Sequence, residues 1–149
     1  MIRRYKVKHN DRFAVISEKN RVLLNDTYPA IATVKLLRIL FDEEKLSFEE
    51  AWGVVYNTLS YTNLTVLPEA LEKWSVDLIG RLLPRHLELI YLINHIYIEK
   101  LKKKFPGDSK KIERMSLVEE GYPKKIRMAF LSIVCAHTVN GVKALHSIC

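Results

Sequence analysis

The chain has 149 residues, 48% of them hydrophobic, and a net charge of +7. That is enough apolar material for one cooperative core, which excludes disorder, and no apolar run approaches the ~20 residues that span a bilayer. The basic start, MIRRYKVKHN, has neither the apolar stretch nor the cleavage site of a secretory signal.

After this start, Arg21, Val22, Leu23, Leu24 and Asn25 predict a short buried strand. Asp26 and Thr27 can cap a helix whose first turn holds Pro29, where a missing N–H would be unpaired anyway. Ile31, Val34, Leu37 and Phe41, with Leu40 beside them, then recur at helical spacing and predict one buried stripe up to Asp42. Ser47 and Glu50 form a capping box that launches a helix through Ala51, Val54, Val55 and Leu59.

The stretch YTNLTVLPEALEKW, residues 61–74, reads as an irregular connection. It is too polar at its start for a core strand and too apolar for a linker. From about Ser75 a helical turn leads to Pro84, which begins or kinks a long helix. Leu87, Ile90, Tyr91, Asn94, Ile98 and Leu101 mark its inner face until FPGD stops it.

A short basic helix is predicted over 109–115. Residues 126–136 are almost continuously apolar, a length that permits a strand or a buried helix. They are read as a buried strand, followed by a tight turn at HTVNG and a helix from Val142. That order would set ligand-facing groups at the carboxyl end of the strand. The class is helix-rich α/β, without repeats or linkers.

Lysines cluster at 100–104, 110–111 and 124–125, near predicted helix ends and turns, where they offset helix dipoles in water. Neither aromatic interleaving nor binding-motif spacing accompanies them, so nucleic-acid binding stands only as an alternative. Cys135 and Cys149 have no closely spaced partners and read as reduced thiols of a cytosolic protein, not as metal ligands. Asn25 and Asn63 each open a glycosylation triplet, read as chance without a signal sequence.

Three stretches carry a family likeness: LNDTYPAIATVKLLRIL, YTNLTVLPEALEKWSVDLIGRLLPRHLELIYLIN and RMSLVEEGYPKKIRMAFLSIVCAHTVNGVKALHS. They resemble consecutive pieces of the amino-terminal domain of the glycogen phosphorylase family. The likeness covers nearly the whole chain, and TVLPEALE and LLPRHLE are long enough to be specific. It implies that residues 1–149 are part of the amino-terminal Rossmann-like domain of a GT-B glycosyltransferase, without the carboxyl-terminal cofactor domain.

The resemblance also implies an activity. Inorganic phosphate removes the terminal glucose of an α-1,4-glucan as glucose 1-phosphate, with retained configuration, and the phosphate of pyridoxal phosphate assists the proton transfer. A cytoplasmic, allosteric homodimer of glycogen metabolism is implied with it.

By the same resemblance, the loop YTN-x-TVLPE lies beside the bound glucose. Tyr61, Thr62, Asn63 and Thr65 would supply hydroxyl and amide groups, backed by Leu67 and Leu71. His137 matches the histidine that contacts the glucose near its 6-hydroxyl, where an imidazole can donate or accept. The alternative is a histidine that satisfies backbone groups at a strand end. Asn140 and Gly141 match the same motif and would shape the turn and the next helix start. Arg3 and Arg4 match the arginine pair that binds the phosphate of the AMP activator, a suitable task for paired guanidiniums. An ordinary basic terminus is the other reading.

The departures from the family pattern matter as well. Leu64 and Tyr28 stand where the family has histidines, which removes one polar contact and changes the reach of another. Shorter spacing before Val22 implies a first strand that has lost residues. No segment resembles the region whose lysine anchors pyridoxal phosphate; Lys102, Lys103 and Lys104 lie in another motif and are expected on solvent. The chain is therefore expected to lack a complete catalytic set and to be inactive alone. It is also expected to associate through uncovered apolar faces, including residues 91–98. A non-catalytic glucan-binding or phosphorylase-pairing scaffold is the alternative from a different class.

Overall fold

A computed structural model describes residues 1–9, 13–63 and 71–141 of the chain. The basic start is helical: α1 (Ile2–His9), a 3₁₀ turn at Phe13–Val15 and α2 (Ile16–Lys19) lead to strand β1 (Val22–Asn25). Tyr5, Phe13 and Ile16 carry this start into the core, and the Tyr5 and Phe13 rings lie 6.5 Å apart.

After β1 the backbone does not enter a helix directly. Asp26 adopts a left-handed φ of 66°, and its Oδ1 accepts from the Thr27 amide at 2.8 Å. A 3₁₀ turn at Tyr28–Ala30, holding Pro29, then opens α3 (Ile31–Arg38). Thr27 makes no capping bond there, because its hydroxyl is used across the fold. The predicted stripe is present: Val34, Leu37 and Leu40 are buried and Phe41 packs on them, the last two within a π turn at Ile39–Glu43.

The Ser47 and Glu50 capping box is complete, with bonds of 3.2 and 3.0 Å, and it starts α4 (Phe48–Thr58). Residues 59–63 then form strand β2 (Leu59–Asn63), where the sequence predicted a helix end and an irregular connection. Leu59, Tyr61 and Asn63 are buried and alternate with half-buried Ser60 and Thr62, which is the period of a strand. Of the polar residues that argued against a core strand, Thr62 occupies the more open face, whereas Asn63 is buried with Tyr61.

Strand β3 (Lys73–Ser75) leads into α5 (Val76–Leu82), whose Leu78 amide is accepted by the Ser75 hydroxyl. Helix α6 (Pro84–Lys104) does begin at Pro84, but its buried residues are Leu89, Ile90, Ile93 and Leu101. Tyr91 is therefore outside the inner face assigned to it. Gly107, with φ 82°, follows the helix end, as a left-handed turn requires. The short basic helix α7 (Ser109–Met115) is where the sequence placed it, and β4 (Val118–Glu119) comes next.

The apolar run divides into β5 (Lys125–Arg127) and helix α8 (Met128–Cys135) instead of forming one strand. Met128, Ala129, Leu131, Ser132 and Cys135 are all buried, as in a helix covered on most sides, and such a helix shows no period in its sequence. The strand is instead β6 (Thr138–Gly141), so Asn140 and Gly141 end a strand where a turn was predicted. The helix predicted from Val142 lies outside the described residues. Cys135 is a buried free thiol, and burial pushes it up to about 12 against an opposing hydrogen bond from Thr33.

The architecture is helix-rich α/β. Strands β1, β2 and β6 form a parallel sheet in that order, and β3, β5 and β4 form a small antiparallel one. Register places Leu23, Ser60 and Thr138 in one row of the parallel sheet and Asn25, Thr62 and Asn140 in another on the same face. That face is open, with Leu23 60% exposed, whereas Leu24 and Tyr61 on the other face are buried in the core. Parallel sheets are ordinarily covered on both faces. Among the described residues, no helix is long and apolar enough to cross a membrane.

Candidate functional site

Parallel strands present their carboxyl ends to one side, where the chain turns away and leaves polar groups for ligands. Here that edge gathers Asn25 at the end of β1 with Asp26 and Thr27 beyond it, Asn63 at the end of β2 and Gly141 at the end of β6. The Asp26 amide donates to the Thr62 carbonyl at 2.9 Å, so the ladder continues one residue past β1. Asn63 is buried, and so is Tyr61, whose hydroxyl has no hydrogen-bond partner among the described residues. Burial first, and then the Asp26 carboxylate, push the Tyr61 phenol up to about 12, so it stays neutral and protonated.

Glu72 joins this edge from the antiparallel sheet. Its Oε1 accepts from the Trp74 indole at 2.6 Å and its Oε2 from the Thr27 hydroxyl at 3.1 Å. Its carbonyl accepts from the Met128 amide at 3.1 Å. Sequence reasoning overlooked both Asp26 and Glu72 as site residues. The asparagine–aspartate–threonine turn after a predicted strand was the one signal for the first, and nothing in the spacing signalled the second.

The edge thus offers a carboxylate, side-chain amides and hydroxyls on irregular backbone with apolar packing behind. That set suits a neutral ligand rich in hydroxyl groups. Among the described residues, no group of three or more His, Cys, Asp or Glu is placed to hold a metal ion. Among the described side chains no lysine is buried, and Lys102, Lys103 and Lys104 are on solvent. These residues do not fit a cofactor held as a Schiff base, which needs a sheltered, deprotonated amine.

His137 lies at the opposite, amino end of the sheet, one residue before β6. Its Nδ1 sits 2.6 Å from the Leu59 carbonyl and 3.1 Å from that of Tyr56, and carbonyls only accept. Nδ1 therefore carries the proton, and Nε2 accepts from Arg21 Nη1 at 3.1 Å. Both ring nitrogens are engaged by the protein, as in the backbone-satisfying alternative.

The other singled-out residues scatter. Arg3 and Arg4 are exposed on α1, adjacent in sequence and so about 100° apart around the helix. Tyr28 is 78% exposed, and Leu71 is half-buried. Leu64, Thr65 and Leu67 lie outside the described residues.

A cavity of about 630 Å³ lies between α4 and α6, lined chiefly by Phe48, Trp52, Tyr56, Ile93, Ile96 and Tyr97. The charged groups among its lining residues are Glu49 and Lys100. A sugar needs several converging polar partners. The carboxyl edge supplies them and is the better candidate.

Comparison with known proteins gives the context. Residues 1–149 match the family model Phosphorylase, described as carbohydrate phosphorylase. Over 135 residues the chain is 52% identical to the muscle form of glycogen phosphorylase from Ovis aries, covering 91% of this chain and 16% of that protein. Over 148 residues it is 50% identical to glycogen phosphorylase of Saccharomyces cerevisiae, covering 99% and 16%. Over 135 residues it is 50% identical to glycogen phosphorylase 2 of Dictyostelium discoideum, covering 91% and 14%. The chain spans about one sixth of the length of these relatives.

Proposed function

The chain belongs to the carbohydrate phosphorylase family, and on that premise we propose that it forms one wall of the glucose site in an α-1,4-glucan phosphorylase. The intact enzyme would use inorganic phosphate to release glucose 1-phosphate from the glucan end. In this reading residues 1–149 are a partial amino-terminal, Rossmann-like lobe of a two-lobed GT-B glycosyltransferase, working in the cytoplasm as part of a homodimer.

One observation carries the reading: the polar carboxyl edge of the parallel sheet, in a chain about half identical to glycogen phosphorylases. Asn63 and Thr65 are proposed to face the sugar, joined by Asp26. For His137 the engaged ring nitrogens favour holding β6 to β2, so its glucose contact would require the ring to leave Arg21 and Leu59. Leu64 and Tyr28 replace histidines of the family pattern, and weaker sugar binding is proposed to follow. Arg3 and Arg4 are proposed to hold the phosphate of AMP, weakly as an isolated pair.

Pyridoxal phosphate belongs to the intact enzyme in this reading. The described residues offer it no anchor, and no step here is derived through it.

Titration of the chain with maltoheptaose, followed by backbone amide resonances, tests the site. Shifts concentrated at Asn25, Asp26, Thr27 and Asn63, weakened by Asn63→Ala, are expected. Shifts centred on Arg21 and His137, or none anywhere, would contradict it.

A further inference from the structure

The turn after β1 is held from the other sheet. Asp26 has a left-handed φ of 66°, a conformation that side chains other than those of glycine, asparagine and aspartate rarely adopt and that local hydrogen bonds support. Three of its restraints are local to the parallel sheet and its turn. The Asp26 amide donates to Thr62 at 2.9 Å, the Thr27 amide to Asp26 Oδ1 at 2.8 Å and the Ala30 amide to Thr27 at 3.0 Å. The fourth comes from outside: the buried Thr27 hydroxyl donates to Glu72 Oε2 at 3.1 Å.

Glu72 is itself fixed at three points. Trp74 donates to its second carboxylate oxygen at 2.6 Å, its backbone carbonyl takes the Met128 amide, and the chain continues directly into β3. A hydrogen bond to a charged acceptor is among the stronger kinds, and here it runs between segments flanking two sheets that share no strand pairing.

We propose that Glu72 is a positioning residue for the carboxyl-edge site: through the Thr27 hydroxyl it locks the turn at 26–27, and with it the Asp26 carboxylate that faces the ligand. This rests on the glucan reading only for the identity of the ligand. Glu72 acts at a distance through Thr27, whereas Asp26 would touch the sugar.

The variants Thr27→Val, Thr27→Ser and Glu72→Gln, made in the full 149-residue chain, test it in two arms. Valine keeps the shape of threonine without its hydroxyl, serine keeps the hydroxyl, and glutamine leaves one acceptor where two donors compete. In the first arm, amide hydrogen exchange is read residue by residue. Thr27→Val and Glu72→Gln should speed exchange of the Asp26 amide at least about tenfold. The Tyr61 amide, one strand position into the core, should be unchanged, and Thr27→Ser should behave like the native chain. The Trp74 indole N–H resonance should move in Glu72→Gln and stay in place in Thr27→Val, a signature that general loosening would not produce.

In the second arm, maltoheptaose affinity should fall with the same two variants and recover with serine. Unchanged Asp26 exchange in Thr27→Val overturns the clamp, and so does equal exchange at Asp26 and Tyr61. A native chain that ignores maltoheptaose while the exchange arm behaves as described sinks the glucan reading and supports the clamp.

Discussion

Asp42 and Arg85 show how much a single contact can reveal about the fold. Arg85 donates from Nε and Nη2 to both carboxylate oxygens of Asp42, at 3.0 and 2.9 Å, and so ties the end of the π turn to the start of α6. Its hydrogen bonds hold the Asp42 carboxyl below the ordinary 3.8, with burial opposing them and nearby cations assisting. The folded chain then binds fewer protons than the unfolded chain just below pH 3.8. Stability from this pair is present above that value and lost as pH falls toward the lowered folded one. Urea unfolding across this acid window should show a steeper pH dependence for the native chain than for Arg85→Met, with a difference of at most about 1 kcal/mol for so exposed a pair. Parallel curves would contradict this role. At this scale the sequence was legible only where partners are close. Ser47 and Glu50 are three positions apart and could be paired by inspection, whereas Thr27 and Glu72 are 45 apart and could not.

Among the elements, those with a clear period or a clear punctuation mark were readable. The capping box, Pro84 and the FPGD stop placed α4, the start of α6 and its end from chemistry that acts within one turn. Removing the first of these should be felt: Ser47→Ala is expected to lower stability by about 0.5–2 kcal/mol, measured by thermal or urea unfolding. An unchanged midpoint would mean that α4 is held by packing alone. The elements that were misread are those whose state is set by neighbours. Strand β2 carries serine and threonine on the open face of the sheet, so its composition resembles a loop. Helix α8 is apolar on nearly every side because α3 and β2 pack on it, and its sequence has no stripe to read. The candidate site shares this limit. Its strand ends could be placed only after β2 and β6 were known to be strands.

Over the whole molecule, the open face of the parallel sheet is the main structural debt. Leu23 on that face is 60% exposed, Leu82 at the end of α5 is 69% exposed and Tyr28 beside the turn is 78% exposed. Of these, Leu23 lies on a parallel-sheet face that is ordinarily covered, and an uncovered sheet face favours association. Sedimentation should therefore detect species larger than a monomer that grow with concentration; a monodisperse monomer over the same range would contradict this. The same one-sided sheet underlies the functional account. Phosphorolysis needs groups held around the transition state from both sides, and in the proposed reading the described residues supply one wall of that site. The direct test is to incubate the purified 149-residue chain with glycogen, inorganic phosphate and pyridoxal phosphate and to measure glucose 1-phosphate. None above the protein-free control is the predicted result, and sustained release in proportion to chain concentration would contradict the account.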